Sequence, residues 1–377
     1  MMNGIYIHFP FCKQKCVYCN FYSVASEQLK ETYWQAVTRE IELTANYLPD
    51  NMISTLYFGG GTPSLCNREE LDNILQSIRR YYHFAPTLEF TLEANPEQLS
   101  PSYLKDIKSL GINRLSIGVQ SFNDEILSLL NRRHTGKEAK KAIENAFSAG
   151  FENVSIDLIY DIAYRSAEMW RQDLQTASDY DIQHLSAYSL TVEENTLLAR
   201  RVRAGQRYLP EDEMTERDYA ILIEMTEKAG FEQYEISNFC RNGWISKHNS
   251  AYWQSVPYLG IGASAHSFNG ASRKWNVAHL QQYIDGITSG QPYEETEILS
   301  QNNRYDEYVL LRLRTREGIH LNEISALFGP EKRGFLLSKL SQKVNPSHYI
   351  LRDNQLTLSY SGKLFADSIS MELFAEE

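Results

Sequence analysis

The run IYIHFPFCKQKCVYCNFYS, residues 5–23, carries both a fold signal and a chemical one. Its first five residues are β-branched or aromatic apart from one histidine, the composition of a strand. Directly after them come Cys12, Cys16 and Cys19, three thiols within eight residues, and Lys13, Gln14 and Lys15 mark the intervening chain as an exposed loop. Three thiolates this close point to a metal, yet a structural zinc takes four protein ligands, as does a closed iron–sulfur cube. Recruiting His8 would give a Cys3His zinc site. Zinc motifs, however, pair C-x2-C units at a distance, and the other two cysteines, Cys66 and Cys240, stand alone. Packing three cysteines into a core conflicts with the charged loop. A cluster held by three thiolates with one iron open fits the count and spacing better, and the residues themselves leave its last ligand open.

Outward from this run, five more strand-like stretches follow: TLYFGGG at 55–61, LEFTLEANP at 88–96, RLSIGVQSF at 114–122, VSIDLIY at 154–160 and LSAYSLTV at 185–192. Helical patterns lie between them. One spans roughly 27–48, with Tyr33, Val37, Ile41 and Ala45 spaced by four. Another has Ser100 as N-cap, Pro101 at the first helical position, an apolar face of Leu104, Ile107 and Leu110, and Gly111 as its stop. Strands alternating with helices predict parallel pairing. The expected fold is therefore α/β, a partial parallel (β/α)6 barrel, with an open doubly wound sheet as the alternative. In parallel barrels function gathers beyond the C-terminal strand ends. Cys12, the glycines Gly59–Gly61, Glu93, Gln120 and Asp157 all fall at or just past such ends.

After about residue 200 the pattern changes. A helical stretch at 211–230 leads into an aromatic, Gly- and Ser-rich segment, and SGQPYEETEILSQNNR (289–304) reads as a linker. Helical patterns near 304–314, 321–328 and 333–343, a hairpin around YILRDNQLTLS and a last helix predict a small winged-helix-type domain. The expected division is 1–200 for the partial barrel, 201–290 for a segment completing it, and 291–377 for the C-terminal domain. Of the 377 residues, 42% are hydrophobic and 23% charged, and no apolar run approaches the ~18 residues needed to span a bilayer. The N-terminus lacks a basic n-region and cleavage site, and five cysteines with three clustered suit a reducing compartment, so a cytoplasmic protein is expected. A net charge of −11 argues against a nucleic-acid partner but leaves room for a local basic pocket that takes a carboxylate. The 24 tyrosines suit stacking surfaces or core filling equally.

C-x3-C-x2-C with Tyr18 before the third cysteine is similar to the signature of radical S-adenosylmethionine proteins. YIHFPFC, GGGTPS, EANPE, RLSIGVQSF and IDLIY, in that order, resemble the branch holding oxygen-independent coproporphyrinogen III dehydrogenase and its haem-chaperone relative. The likeness covers nearly the whole chain. It implies that Cys12, Cys16 and Cys19 ligate a [4Fe–4S] cluster whose open iron is chelated by S-adenosylmethionine. One-electron reduction of the sulfonium would then release a 5′-deoxyadenosyl radical. By the same resemblance Tyr6 and Tyr18 border this cosubstrate and Gly60, Gly61 and Thr62 hold its methionine end. Glu93 contacts it too, and Gln120, Arg132 and Asp157 line the adjoining cavity. Taken singly, the glycines read as a strand-to-helix turn, Glu93 and Asp157 as caps or solvated charges, and Arg132 as a surface charge.

Two features bear on the branch. The dehydrogenase carries a further cysteine where this chain has Phe21, and a longer segment before a first strand that YIHFPFC begins here at residue 6. HNSAYW, with His248, Asn249, Tyr252 and Trp253, resembles the H-N-x-x-Y-W motif of the haem-chaperone branch. It offers an imidazole for axial ligation of haem and two aromatic faces, with Lys247 and Arg241 near in sequence for the propionates. A satisfied histidine in an aromatic-packed loop is the plain alternative, and His266 in GIGASAHSF is a second candidate. DLIYDIAYRS has Asp161 and Ala163 where the branch shows Gly and Pro, so the loop after the fifth strand is expected to differ in shape. The resulting expectation is a cytosolic haem chaperone using haem, a [4Fe–4S] cluster and S-adenosylmethionine. It would hand haem to an acceptor protein at the inner face of a membrane, and the resemblance also implies a homodimer. An enzyme oxidising coproporphyrinogen III and a zinc-stabilised binding module are the alternatives.

Overall fold

The computed structural model describes residues 3–206 and 212–375; residue 211, the first of the helix expected over 211–230, lies outside the described residues. Six strands come first: β1 (Asn3–Phe9), β2 (Met52–Gly60), β3 (His83–Ala94), β4 (Arg114–Gln120), β5 (Asn153–Tyr160) and β6 (His184–Ser189). Each pairs in parallel with the next. β7 (Glu232–Glu235), β8 (Asn238–Cys240), β9 (Tyr258–Ile261), β10 (His266–Phe268), β11 (Ser272–Asn276) and β12 (Glu294–Ile298) extend both flanks. The sheet order is β12-β11-β10-β9-β1-β2-β3-β4-β5-β6-β8-β7. β9 runs parallel to β1, whereas β8 and β10 turn antiparallel at the two margins. This is the expected partial barrel.

Alternation along the strands makes the wall. One face carries Ile5, Ile7, Phe9, Leu56, Phe58, Phe90, Leu92, Leu115, Ile117, Val154, Ile156 and Leu158, all buried in one core with Val37, Ile74, Ile107, Ile143 and Leu174 of the surrounding helices. Residues one step along point the other way. They are Tyr6 and His8, Tyr57, Glu89, Thr91 and Glu93, Arg114 and Ser116, Asp157, then His184 and Ser186. Burial of the outer face holds the sheet together, so the inner face is free to carry polar groups. The helix Pro101–Ser109 begins as expected, with the Ser100 side chain accepting from the Tyr103 N–H at 3.3 Å and Leu104 and Ile107 buried.

One expectation is corrected. The stretch 289–304 is no linker: Glu294–Ile298 form β12, paired antiparallel with β11 from Ser272↔Ile298 to Asn276↔Glu294. As an edge strand exposed on both sides, EETEI has no apolar face to betray it. Beyond it, helices Gln301–Leu313, Leu321–Phe328 and Pro330–Lys343 surround a small antiparallel sheet of β13 (Ile319–His320), β14 (Tyr349–Arg352) and β15 (Gln355–Leu358). This winged-helix-like unit has its own core, including Tyr305, Val309, Ile324, Leu336, Leu340 and Leu356. It is tied to the large sheet by backbone bonds Ile236 N–H to Arg314 O at 3.1 Å and Arg316 N–H to Tyr234 O at 3.0 Å.

Candidate metal centre and adjoining cavity

The cysteine loop closes on its own base. Val24 N–H donates to Pro10 O at 2.7 Å and Cys12 N–H to Val24 O at 3.0 Å. Its apex is tethered from outside: Leu198 N–H donates to Val17 O at 2.8 Å and Asn131 Nδ2 to Lys15 O at 2.9 Å. A segment without regular structure is thereby fixed against the barrel rim. Cys12, Cys16 and Cys19 are all free and half-buried. Thr62 Oγ1 donates to Cys12 Sγ at 3.5 Å and Arg132 Nη1 to Cys16 Sγ at 3.3 Å. Burial pushes the Cys12 thiol up and the Cys19 thiol up to about 11, with Cys16 adding to both. Among the described residues no three His, Cys, Asp or Glu side chains are gathered at ligating distance; the Cys12 and Cys16 thiols each have a hydrogen-bond donor of their own. The surroundings nevertheless suit an iron–sulfur cluster. A Cβ on Gly61 would lie 3.0 Å from Cys12 Sγ, so only glycine leaves this approach clear. Arg132 supplies the kind of N–H to sulfur that tunes such clusters. Ligation would draw the protons from these thiols, because a bound metal ion deprotonates a coordinating thiol.

Around the loop the expected residues do converge. Arg132 Nη2 donates to Asn95 Oδ1 and to Gly118 O, both at 2.7 Å, and Asn95 Nδ2 donates to Thr62 Oγ1 at 3.3 Å. A polar circuit thus runs Cys12–Thr62–Asn95–Arg132–Cys16, and Arg132 is not a free surface charge. Gly60, at φ +107°, donates its N–H to Glu93 Oε2 at 3.0 Å, while Tyr57 OH donates to Glu93 Oε1 at 2.8 Å. Burial pushes the Glu93 carboxyl up to about 7 against both bonds. Asp157, raised by the same cause, accepts from Ser116 Oγ at 3.2 Å. Gln120 is buried at φ +67°, beside Gly118. Tyr6 lies 5.9 Å from Tyr57, ring centre to ring centre. Tyr18 packs against the small apolar cluster that includes Ile126, Leu130 and Leu198, with Cys16 and Arg132 as its charged neighbours. Tyr57, Asn95, Arg114 and Ser116 were not foreseen. The alternation Glu89, Thr91, Glu93 inside LEFTLEANP already signals a polar inner face.

The HNSAYW segment forms a helix, Lys247–Trp253, capped by Ser246. Glu89 accepts the N–H groups of Lys247 and His248, both at 3.0 Å. His248 is 2% exposed. Its Nδ1 bonds Thr55 Oγ1 and its Nε2 bonds Tyr252 OH, both at 2.8 Å, and its ring stacks on Tyr57 at 4.9 Å. Burial lowers its pKa to about 3. Arg241 and Lys247 do not serve as expected. Arg241 donates to carbonyls of Ala229, Tyr180 and Ser178 and covers Phe231, and Lys247 Nζ donates to Thr87 O. A cavity of about 510 Å³ opens between the cysteine loop and this helix. Tyr6, His8 and Phe21 wall one side, Tyr252 and Trp253 another, and His266, Arg273 and Glu307 a third. That volume falls within the ~300–1,000 Å³ usual for cofactor sites.

Residues 6–177 match the family model described as the Radical SAM superfamily. The chain is 34% identical over 372 residues to Heme chaperone HemW of Bacillus subtilis, covering 98% of each. The chain belongs to the HemW-type branch of the radical SAM superfamily. Radical S-adenosyl methionine domain-containing protein 1, mitochondrial, of Danio rerio is 30% identical over 387 residues, with 99% of this chain and 87% of that one covered. A solved structure of coproporphyrinogen III oxidase (HemN) from Escherichia coli, a radical SAM enzyme, superposes with a TM-score of 0.86 at 21% identity, over 99% of this chain and 90% of that one. This chain thus shares that fold, and membership of the superfamily implies a [4Fe–4S] cluster and S-adenosylmethionine.

Proposed function

We propose that this chain is a haem chaperone that holds haem beside a [4Fe–4S] cluster and S-adenosylmethionine and passes it to an acceptor haemoprotein. The observation that carries the reading is the end-to-end likeness to a protein named Heme chaperone HemW, at 34% identity over 98% of both lengths. An aromatic cavity directly against the cysteine loop supports it. In this reading Cys12, Cys16 and Cys19 ligate three irons, and Arg132 and Thr62 donate to their sulfurs. Gly60, Gly61, Thr62 and Glu93 take the methionine end of the cosubstrate, and Tyr6 and Tyr18 border it. Gln120 and Asp157 line the lumen beyond. When bound, cluster and cosubstrate supply one-electron chemistry; the chain's own groups orient them and keep water out. The carrier would work in the cytosol as a homodimer and hand haem to an acceptor at a membrane's inner face.

Coproporphyrinogen III oxidation is the second reading, favoured by the shared fold of the Escherichia coli enzyme. Against it stands Phe21, 66% exposed at the cavity where the dehydrogenase carries a thiol. The deciding experiment is anaerobic reconstitution with iron and sulfide, then haemin, then an apo-haemoprotein. Cluster absorbance bleached by dithionite, stoichiometric haem uptake and its onward transfer are expected. Turnover of coproporphyrinogen III, or no haem uptake, would overturn the proposal.

A further inference from the structure

We infer that the iron-facing ligand of the haem site is His266, with Arg273 as its carboxylate-binding donor, and that His248 acts on the site only through Tyr252. This rests on the haem-chaperone reading and names the ligand within it.

Three histidines lie in or behind the cavity wall. An axial ligand must present a free nitrogen lone pair. His8 has none: Nδ1 bonds Tyr6 OH at 3.1 Å and Nε2 bonds Tyr22 O at 2.9 Å. His248 has none either, being held at both nitrogens and screened by Tyr252. Ligation through either ring means breaking a buried hydrogen bond and leaving its partner unsatisfied. His266 is different. It is exposed on β10, its ring makes no hydrogen bond among the described residues, and it lies over Trp275 with ring centres 6.2 Å apart and planes at 27°.

The hairpin around His266 adds a second argument. Register pairs His266 with Trp275 and Phe268 with Arg273. Facing residues share a side of the sheet, as do residues two apart. These four therefore form one platform of a base, two apolar rings and a cation. Arg273 lines the same cavity, its guanidinium lies over Phe268, and its Nη2 donates to Glu307 Oε2 at 2.9 Å. A guanidinium at the wall of an aromatic cavity suits a flat apolar ligand bearing carboxylates. The His266 lone pair would fill one axial position of ferric iron, displacing water, with no electron transferred. His248 holds the Tyr252 hydroxyl at 2.8 Å and so sets the ring that faces the ligand.

The test is haemin titration of the full chain, read by absorption and electron paramagnetic resonance, with circular dichroism to check folding. His266→Ala should lose the imidazole-ligated spectrum and bind at least ten-fold more weakly, and added imidazole should restore the spectrum. His248→Ala and Tyr252→Phe should keep the wild-type band position and lose affinity only a few-fold. Arg273→Gln should weaken haemin but not its dimethyl ester. An unchanged spectrum in His266→Ala, or imidazole-rescued loss in His248→Ala, would overturn the assignment while leaving the chaperone reading intact. A wild-type chain that takes up no haem would defeat both.

Discussion

Glu93 is held by two donors yet buried, and burial wins: its carboxyl titrates near 7 instead of 4.5. The folded chain therefore keeps a proton that the unfolded chain releases. This contribution to stability is complete below pH 4.5 and is lost as pH rises to 7, a change of roughly 3 kcal/mol. Glu93→Gln should flatten that slope in urea unfolding followed from pH 4.5 to 8. His248 has the opposite sign. With its pKa lowered to about 3 from 6.5, its stabilisation is present above pH 6.5 and falls away in acid by about 1.4 kcal/mol per pH unit. Gly60 is fixed by geometry: at φ +107° a Cβ would stand 2.5 Å from the His8 ring. Gly60→Ala should lower the urea midpoint by a few kcal/mol equivalent and dislodge Glu93 from its amide partner. Asp161, noted as a departure where the branch carries Gly, sits at φ +62° with its carboxyl pushed up to about 6 by burial. That left-handed backbone is one that glycine adopts without strain. Glu93 was legible because strand ends reveal themselves in sequence, whereas Arg132, beyond the helix that follows β4, was named only through the resemblance. The contrast between His248 and His266 was not, since burial and hydrogen bonding of a ring depend on partners such as Thr55 that are remote in the chain.

At the scale of elements, the six parallel strands could be read because each has a full apolar face against helices. The short strands could not. β9 is four residues, YLGI, and is a strand only because β1 offers it a partner; β12 has no buried face at all. The cysteine loop is an element of another kind, shaped by tethers instead of periodicity. Asn131, at φ +61°, holds Lys15 O and also accepts from Gln14 Nε2 at 3.1 Å. Asn131→Ala should cost about 1 kcal/mol in stability. The loop would still accept iron and sulfide but release iron faster, as a chelator time course would measure.

Across the whole molecule, two cores meet at the cavity, because Glu307 and Leu311 of the helix Gln301–Leu313 complete its wall. Leu336 is fully buried in the smaller core. Leu336→Ala should destabilise that unit by roughly 2–5 kcal/mol. Hydrogen exchange would show protection lost over 301–375 while the barrel strands stay protected, and haem affinity would drop with it. Loss of protection in both units together would show that they unfold as one.

The pairing of β1 with β9 carries a consequence for synthesis. β1 emerges first, yet the strand that seals its outer edge ends at Ile261. At ~5–20 residues per second, a ribosome needs roughly 13–50 s to make the chain between them. Throughout that interval the nascent N-terminal half presents an open strand edge beside three thiols, an edge of the kind that invites pairing with another chain until residue 261 has cleared the exit tunnel.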